Sequence, residues 1–166
     1  MSAPDVFEPT PDNARAFRDA LGRFATGVTV VTTASDKGPM GFTANSFASV
    51  SLEPPLVLWC PAKSSSRFDD YTNGRSFAIH VLGQDQAKLA NDFVNEPDAF
   101  DGLDWFEAED GTPLFNDCIA RFHCASHAYH EGGDHVIAVG RVLSVATRPG
   151  APLLFASGCY GSFTQG

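Results

Sequence analysis

Six consecutive β-branched residues, Val28-Thr29-Val30-Val31-Thr32-Thr33, commit this chain to β structure near its start. Branching at Cβ stiffens χ1, crowds a helical turn and packs well on a pleated surface. Ser35-Asp36-Lys37-Gly38-Pro39 reads as a turn, so the next segment is expected to return as a hairpin partner. Residues 40–50 read as extended and Leu56-Val57-Leu58-Trp59-Cys60 as a buried strand. Further strands are expected at residues 77–82, 119–128, 135–147, 153–155 and 160–163. A helix is predicted over residues 11–24, with Thr10 as N-cap and Pro11 at its first position. Its apolar face is Ala14, Phe17, Leu21 and Phe24, and Gly27 ends it. A second helix is predicted over residues 85–95, with Leu89, Ala90 and Phe93 inward, and residues 67–71 suggest a single helical turn. Residues 96–111 are acidic and aromatic and read as an irregular surface excursion. Many short strands, two helices and abundant turn residues predict a mainly β fold, a closed or nearly closed antiparallel barrel with flanking helices.

The length of 166 residues, 43% hydrophobic with 14 Phe, suits one domain with one substantial core. A formal charge of -9 repels phosphate backbones at long range and argues against nucleic-acid binding. A small phosphorylated ligand remains compatible, because a few local donors override the global field. No apolar run approaches the roughly 20 residues that span a bilayer, so no membrane role is expected. Residues 1–13 read as a flexible, Pro-rich and acidic segment without the pattern of a secretory signal, which makes the cytoplasm the expected location. Cys60, Cys118, Cys124 and Cys159 form no C-x-x-C pair and read as reduced, buried thiols.

The chain has no G-x-G-x-x-G after a strand, no G-x-x-x-x-G-K-[ST] and no G-x-S-x-G. A Rossmann cradle, a P-loop and an α/β-hydrolase elbow are therefore not expected. Four segments carry chemistry. Residues 43–51 hold small hydroxyl and amide side chains that leave many backbone N–H and C=O groups unobstructed. They suit a flat, hydrogen-bonding ring, and read equally well as a polar edge strand. Cys60-Pro61-Ala62-Lys63-Ser64-Ser65-Ser66-Arg67 places three hydroxyls and two cations in one loop, either an anion site or a solvated Ser-rich loop. Gly132-Gly133-Asp134-His135 opens a strand, either as a plain turn capped by Asp134 or as a site. Tyr160 reads as a core aromatic or a pocket wall. His123, His127 and His130 invite a metal reading, but His130 points away from the face shared by the other two on a regular strand. No metal site is expected.

The stretches Phe24-Ala25-Thr26-Gly27-Val28-Thr29-Val30-Val31-Thr32-Thr33, Gly41-Phe42-Thr43-Ala44-Asn45-Ser46-Phe47 and Ser49-Val50-Ser51-Leu52-Glu53-Pro54-Pro55-Leu56-Val57-Leu58 resemble the flavin reductase family. The resemblance covers residues 14–163, a flavin reductase-like domain, and is weakest over residues 96–111. It implies an FMN-binding split β-barrel with Greek-key connections, assembled as a homodimer. It also implies an NAD(P)H-dependent flavin oxidoreductase that reduces FMN or FAD for a partner flavin-dependent monooxygenase. By resemblance, Thr43, Ala44, Asn45 and Ser46 bond the polar edge of the isoalloxazine, and Ser49, Val50 and Ser51 lie along the ring and ribityl chain. Lys63, Ser64, Ser65 and Ser66 hold the flavin phosphate, with Arg67 beside them. Gly133, Asp134 and His135 stand at the nicotinamide end, His135 as an orienting group, and Tyr160 lines the same pocket. His80 stands where relatives often carry Asn. Two other classes are compatible with this barrel: a non-catalytic FMN carrier and a flavin-retaining oxygenase.

Overall fold

A computed structural model describes residues 5–164. The chain order is β1 (Thr26–Gly27), β2 (Thr29–Ser35), β3 (Gly38–Ala44), β4 (Ala48–Leu52), β5 (Pro55–Trp59), β6 (Ser76–Val81), β7 (Trp105–Glu107), β8 (Pro113–Phe115), β9 (Ala120–Gly132), β10 (His135–Thr147), β11 (Leu153–Ala156) and β12 (Cys159–Ser162). Helix α1 (Ala14–Leu21) precedes β1, α2 (Phe68–Asn73) lies between β5 and β6, and α3 (Ala87–Asn95) between β6 and β7.

Seven strands form one antiparallel sheet in the order β3-β2-β6-β9-β10-β5-β4. Its two edge strands, β3 and β4, are joined by only three residues, Asn45, Ser46 and Phe47. Three residues span at most about 11 Å. The edges must therefore approach at that linker, which curls the sheet into a barrel left unladdered along the β3/β4 seam. This is the expected split barrel. Strands β1, β11 and β12 form a small side sheet, and β7 pairs with β8.

Strand β2 explains why the opening run is β-branched without a break: Thr29 to Thr33 are buried on both faces. Val31 faces a cluster with Met40, Trp59, Tyr71, Phe77 and Ile79. Val30 faces a second cluster with Phe93, Phe100, Phe115 and Leu153. A strand covered on both sides reads as a continuous rather than alternating run. Helix α3 lies over the second cluster through Ala90 and Phe93. Gly41 makes that approach feasible, since a Cβ there would sit 2.4 Å from the Phe93 ring.

Several expectations are corrected. The first helix ends at Leu21, and residues 11–13 form a 3-10 turn in which the Thr10 N–H donates to Asn13 Oδ1 at 2.7 Å. Its apolar side chains are not buried: Phe17, Leu21 and Phe24 are 42%, 60% and 79% exposed. Residues 68–73 form a third α-helix. Residues 96–111 are not a plain surface excursion, because Phe100 is buried edge-on against Phe93 and Phe115, and Trp105–Glu107 pairs as a strand. The cysteines are free, but Cys159 is exposed and Cys60 half-buried.

Candidate functional site

The seam linker brings the predicted ring-binding segment to a mouth of the barrel. Asn45, Ser46 and Phe47 belong to no strand, so their backbone groups lie outside the ladders. Two side chains fix this segment. Thr43 Oγ1 donates to the Ala90 carbonyl of α3 at 2.7 Å, and Ser46 Oγ accepts from the Cys60 N–H at 2.9 Å. Their hydroxyls are thus spent on holding the segment, while the Asn45 side chain stays exposed.

On one side of the segment, Phe42, Thr43, Ala44, Asn45 and Ser46 meet Cys60, Ala62 and His135 in a cleft of about 380 Å³. On the other side, Thr43, Ala44 and Asn45 meet Val28, Val94, Phe155 and Tyr160. Residues 43–45 are the common wall. Tyr160 Oη reaches Asn91 Oδ1 at 3.3 Å, its ring packs edge-on against Phe155 at 5.5 Å, and partial burial pushes its phenol pKa up. Ser49, Val50 and Ser51 lie on the edge strand β4, with a bulge at Val50, and the two clefts are walled without them.

His135 is delivered by the β9–β10 hairpin. Gly132 and His135 pair across a two-residue turn in which Gly133 takes φ +78°, a conformation suited to glycine at the first turn position. His135 Nδ1 bonds Asp134 Oδ1 at 2.8 Å, and this bond holds the Asp134 carboxyl below its ordinary range. The ring is tethered through Nδ1, leaving Nε2 as its other polar atom. The Ser-rich loop joins the same hairpin: Lys63 N–H donates to the Asp134 carbonyl at 2.9 Å, Val136 N–H to Pro61 at 3.0 Å, and Ala62 bridges His135. Two motifs far apart in sequence are therefore one unit.

Both cations of that loop are already engaged. The Lys63 ammonium pairs with Glu131, an exposed contact of little net strength. Arg67 donates to the Gly41 carbonyl at 3.2 Å and to the Phe93 carbonyl at 3.0 Å, with the Val94 carbonyl 3.4 Å away. It holds the C-terminus of α3 against β3, a favourable place for a cation, and does not extend into the loop as a free anion ligand. Ser65 Oγ accepts from the Arg67 N–H at 3.2 Å, while Ser64 and Ser66 are exposed.

Burial raises the Cys60 thiol pKa, so it is a poor nucleophile at the cleft wall. His123 bonds Asp110 at 3.0 Å, and His127 occupies the register shift in β9 opposite Val139 and Gly140. Among the described residues no three His, Cys, Asp or Glu side chains are grouped to hold a metal ion. Phe42, Ala62, Val94, Phe155 and Asn91 were not marked by the sequence. All but Asn91 are apolar residues without local signal, and Asn91 is recognisable only once α3 is docked.

A split barrel with a polar seam, flanked by two clefts and a His-bearing hairpin, defines a ligand-binding barrel. Residues 21–164 match the flavin reductase like domain. The chain is 52% identical over 160 residues to the FMN reductase (NADH) SmoA of Agrobacterium fabrum, covering 96% of this chain and 92% of that one. It is 43% identical over 148 residues to HsaB of Rhodococcus jostii, the reductase subunit of a flavin-dependent monooxygenase, covering 88% and 76%. The NADH:FAD oxidoreductase of Streptomyces globisporus superposes with a TM-score of 0.89 at 40% identity, over 99% of this chain and 96% of that one. This chain belongs to the flavin reductase-like family.

Proposed function

We propose that this protein is an NADH-dependent flavin reductase that supplies reduced FMN or FAD to a partner flavin-dependent monooxygenase. The observation that carries the reading is the shared cleft of Thr43, Ala44, Asn45, Ser46 and His135. The residues fit a flavin. Unladdered backbone groups and the exposed Asn45 amide match the ring's alternating donors and acceptors, Phe42 and Ala62 give it apolar walls, and Lys63 stands beside the cleft for its phosphate. A bound flavin supplies the hydride-accepting ring, and NADH the hydride.

The chain's own residues supply position. Hydride transfer requires donor and acceptor atoms aligned at about 3–3.5 Å. His135, tethered by Asp134, orients the nicotinamide amide through Nε2 rather than donating a proton. Ser49, Val50 and Ser51 form the open edge along which the ring and ribityl chain extend. Ser64, Ser65 and Ser66 supply hydroxyls to the phosphate once Lys63 turns from Glu131. Gly133 sets the turn that aims His135, and Tyr160 closes the far side of the common wall. The shallow mouth suits a flavin that must leave after reduction. NADH is favoured as donor by the names of the relatives, with NADPH a further arm of the test.

The protein acts as a homodimer in the cytoplasm. Phe17 and Leu21 from α1, Phe24 just beyond it, Val50 and Leu52 from β4, and Leu143 and Val145 from β10 are all exposed in the single chain. A second copy covering such apolar surface also shields the seam where the flavin lies. No helix of the described residues is long and apolar enough to cross a membrane.

The test is anaerobic addition of NADH, then NADPH, to the protein with FMN or FAD. Rapid bleaching of the flavin's visible absorbance, slowed roughly 10-fold to 100-fold in His135→Ala while flavin binding persists, is the expected result. Bound flavin that stays oxidised would turn the reading into a carrier.

A further inference from the structure

Arg67 ends the Ser-rich loop, and its side chain reaches out of it. The backbone stays local: the Arg67 N–H donates to Ser65 Oγ at 3.2 Å, and the Ser65 carbonyl accepts from the Phe68 N–H at 3.1 Å as α2 begins. The guanidinium crosses to two other elements. It donates to the Gly41 carbonyl of β3 at 3.2 Å and to the Phe93 carbonyl of α3 at 3.0 Å, and it sits 5.5 Å from the centroid of the Phe42 ring. Phe42 is a wall of the cleft that contains Thr43, Asn45 and His135. One half-buried side chain therefore touches the strand that leads into the ring-binding segment, the helix that braces that segment through Thr43, and an aromatic wall of the cleft.

The Gly41 contact falls on the seam. β3 is an edge strand, and the Gly41 N–H donates to the Pro97 carbonyl at 2.7 Å while the Gly41 carbonyl takes the guanidinium. Both backbone groups of Gly41 are thus satisfied away from any strand, so β4 cannot ladder onto β3 there and the seam stays open. At its other end the same loop is tied to the His135 hairpin, by the Lys63 N–H on the Asp134 carbonyl at 2.9 Å and the Val136 N–H on the Pro61 carbonyl at 3.0 Å. The loop is strung between the hairpin and β3, with Arg67 as the tie on the β3 side. A planar guanidinium suits this place, because its rigid fork serves several carbonyls at once where an ammonium is a point charge.

We propose that Arg67 is a positioning residue for the flavin: it fixes the span between the loop that takes the phosphate and the strand that leads to the ring. This rests on the flavin reductase reading of the seam. Two anchors on one ligand reinforce each other only when their spacing matches the ligand, because the second contact is then intramolecular. Arg67 touches neither ring nor phosphate in this role. Its loss lets the span vary, and the cost falls on ligands that use both ends.

The test compares FMN with riboflavin, which has the ring and ribityl chain but no phosphate, in fluorescence titrations of the wild type, Arg67→Gln and Arg67→Lys. The wild type is expected to bind FMN more tightly than riboflavin. Both variants are expected to lose roughly tenfold or more of that preference, with riboflavin affinity changed less than about threefold. In turnover, KM for FMN rises while kcat at saturating FMN holds within about twofold. Lysine keeps a cation for a phosphate but cannot fork across the Gly41 and Phe93 carbonyls. A preference restored by Arg67→Lys therefore makes Arg67 a direct phosphate ligand and overturns the proposal. So do FMN and riboflavin weakened equally, a wild-type preference in Arg67→Gln, or no preference in the wild type. The buried Tyr71, whose O–H donates to the Val31 carbonyl at 2.9 Å, keeps α2 on the barrel in both variants, so they fold. Failure of the reductase reading is seen separately, as wild-type protein that binds neither flavin or binds FMN without oxidising NADH.

Discussion

A neutral imidazole ties β2 to β8 at the centre of the second core. His80 is fully buried, its Nδ1 donating to the Val30 carbonyl at 3.0 Å and its Nε2 accepting the Phe115 N–H at 3.0 Å. Burial, foremost, holds its pKa down to about 3. The unfolded chain binds a proton there at higher pH than the folded one, so this part of the stability is complete above about pH 6.5 and is lost as pH falls toward 3. Urea unfolding at stepped pH is expected to show that decline. His80→Ala is expected to flatten it and to cost about 2–4 kcal/mol at neutral pH, from an unpaired buried carbonyl and N–H and from the cavity left behind. At the site, His135→Ala is expected to lower kcat/KM for NADH by roughly 10-fold to 100-fold through KM and alignment, with the flavin Kd changed less than about twofold. A collapse of flavin affinity would move His135 from the nicotinamide to the flavin. The residue types of the seam and the hairpin were legible because their turn chemistry is local. The engagement of the Thr43, Lys63 and Arg67 side chains was not, because their partners at Ala90, Glu131, Phe93 and Val94 come from distant elements.

Helix α3 is the element on which the site depends. It presents the Ala90 carbonyl to Thr43, Asn91 to Tyr160 and its C-terminal carbonyls to Arg67, and it can do so because Gly41 leaves room for Phe93. A methyl at Gly41 would push the Phe93 ring and the helix outward. Gly41→Ala is expected to destabilise the fold by about 1–3 kcal/mol, read as a lowered denaturant midpoint, and to weaken flavin binding with it. The strands were legible from β-branched runs and turn residues, since both signals are short-range. The ends of α1 and the order within residues 96–111 were not: Phe100 is fixed by edge-on packing against Phe93 of α3, a tertiary contact that no periodicity announces.

At the scale of the molecule, α1 has a regular apolar face and no buried residue in the single chain. Helices this short are marginal alone and draw their stability from packing. Sedimentation is expected to give twice the chain mass of 17.7 kDa, and Leu21→Glu/Phe24→Glu to shift it toward the monomer with lowered flavin affinity. A wild-type monomer would contradict the dimer. The barrel topology was implied by the family resemblance. Its closure follows physically from the three-residue bridge between edge strands β3 and β4, which the reading of residues 40–50 as one extended segment concealed.

The most direct test of the central claim is steady-state oxidation of NADH and NADPH by purified protein, scanned over added FMN and FAD. Saturable turnover that depends on free flavin, and is faster with NADH, is the expected result. Tightly retained flavin with no flavin-dependent NADH or NADPH oxidation would contradict the account and assign this barrel to a flavin carrier or a substrate-specific enzyme.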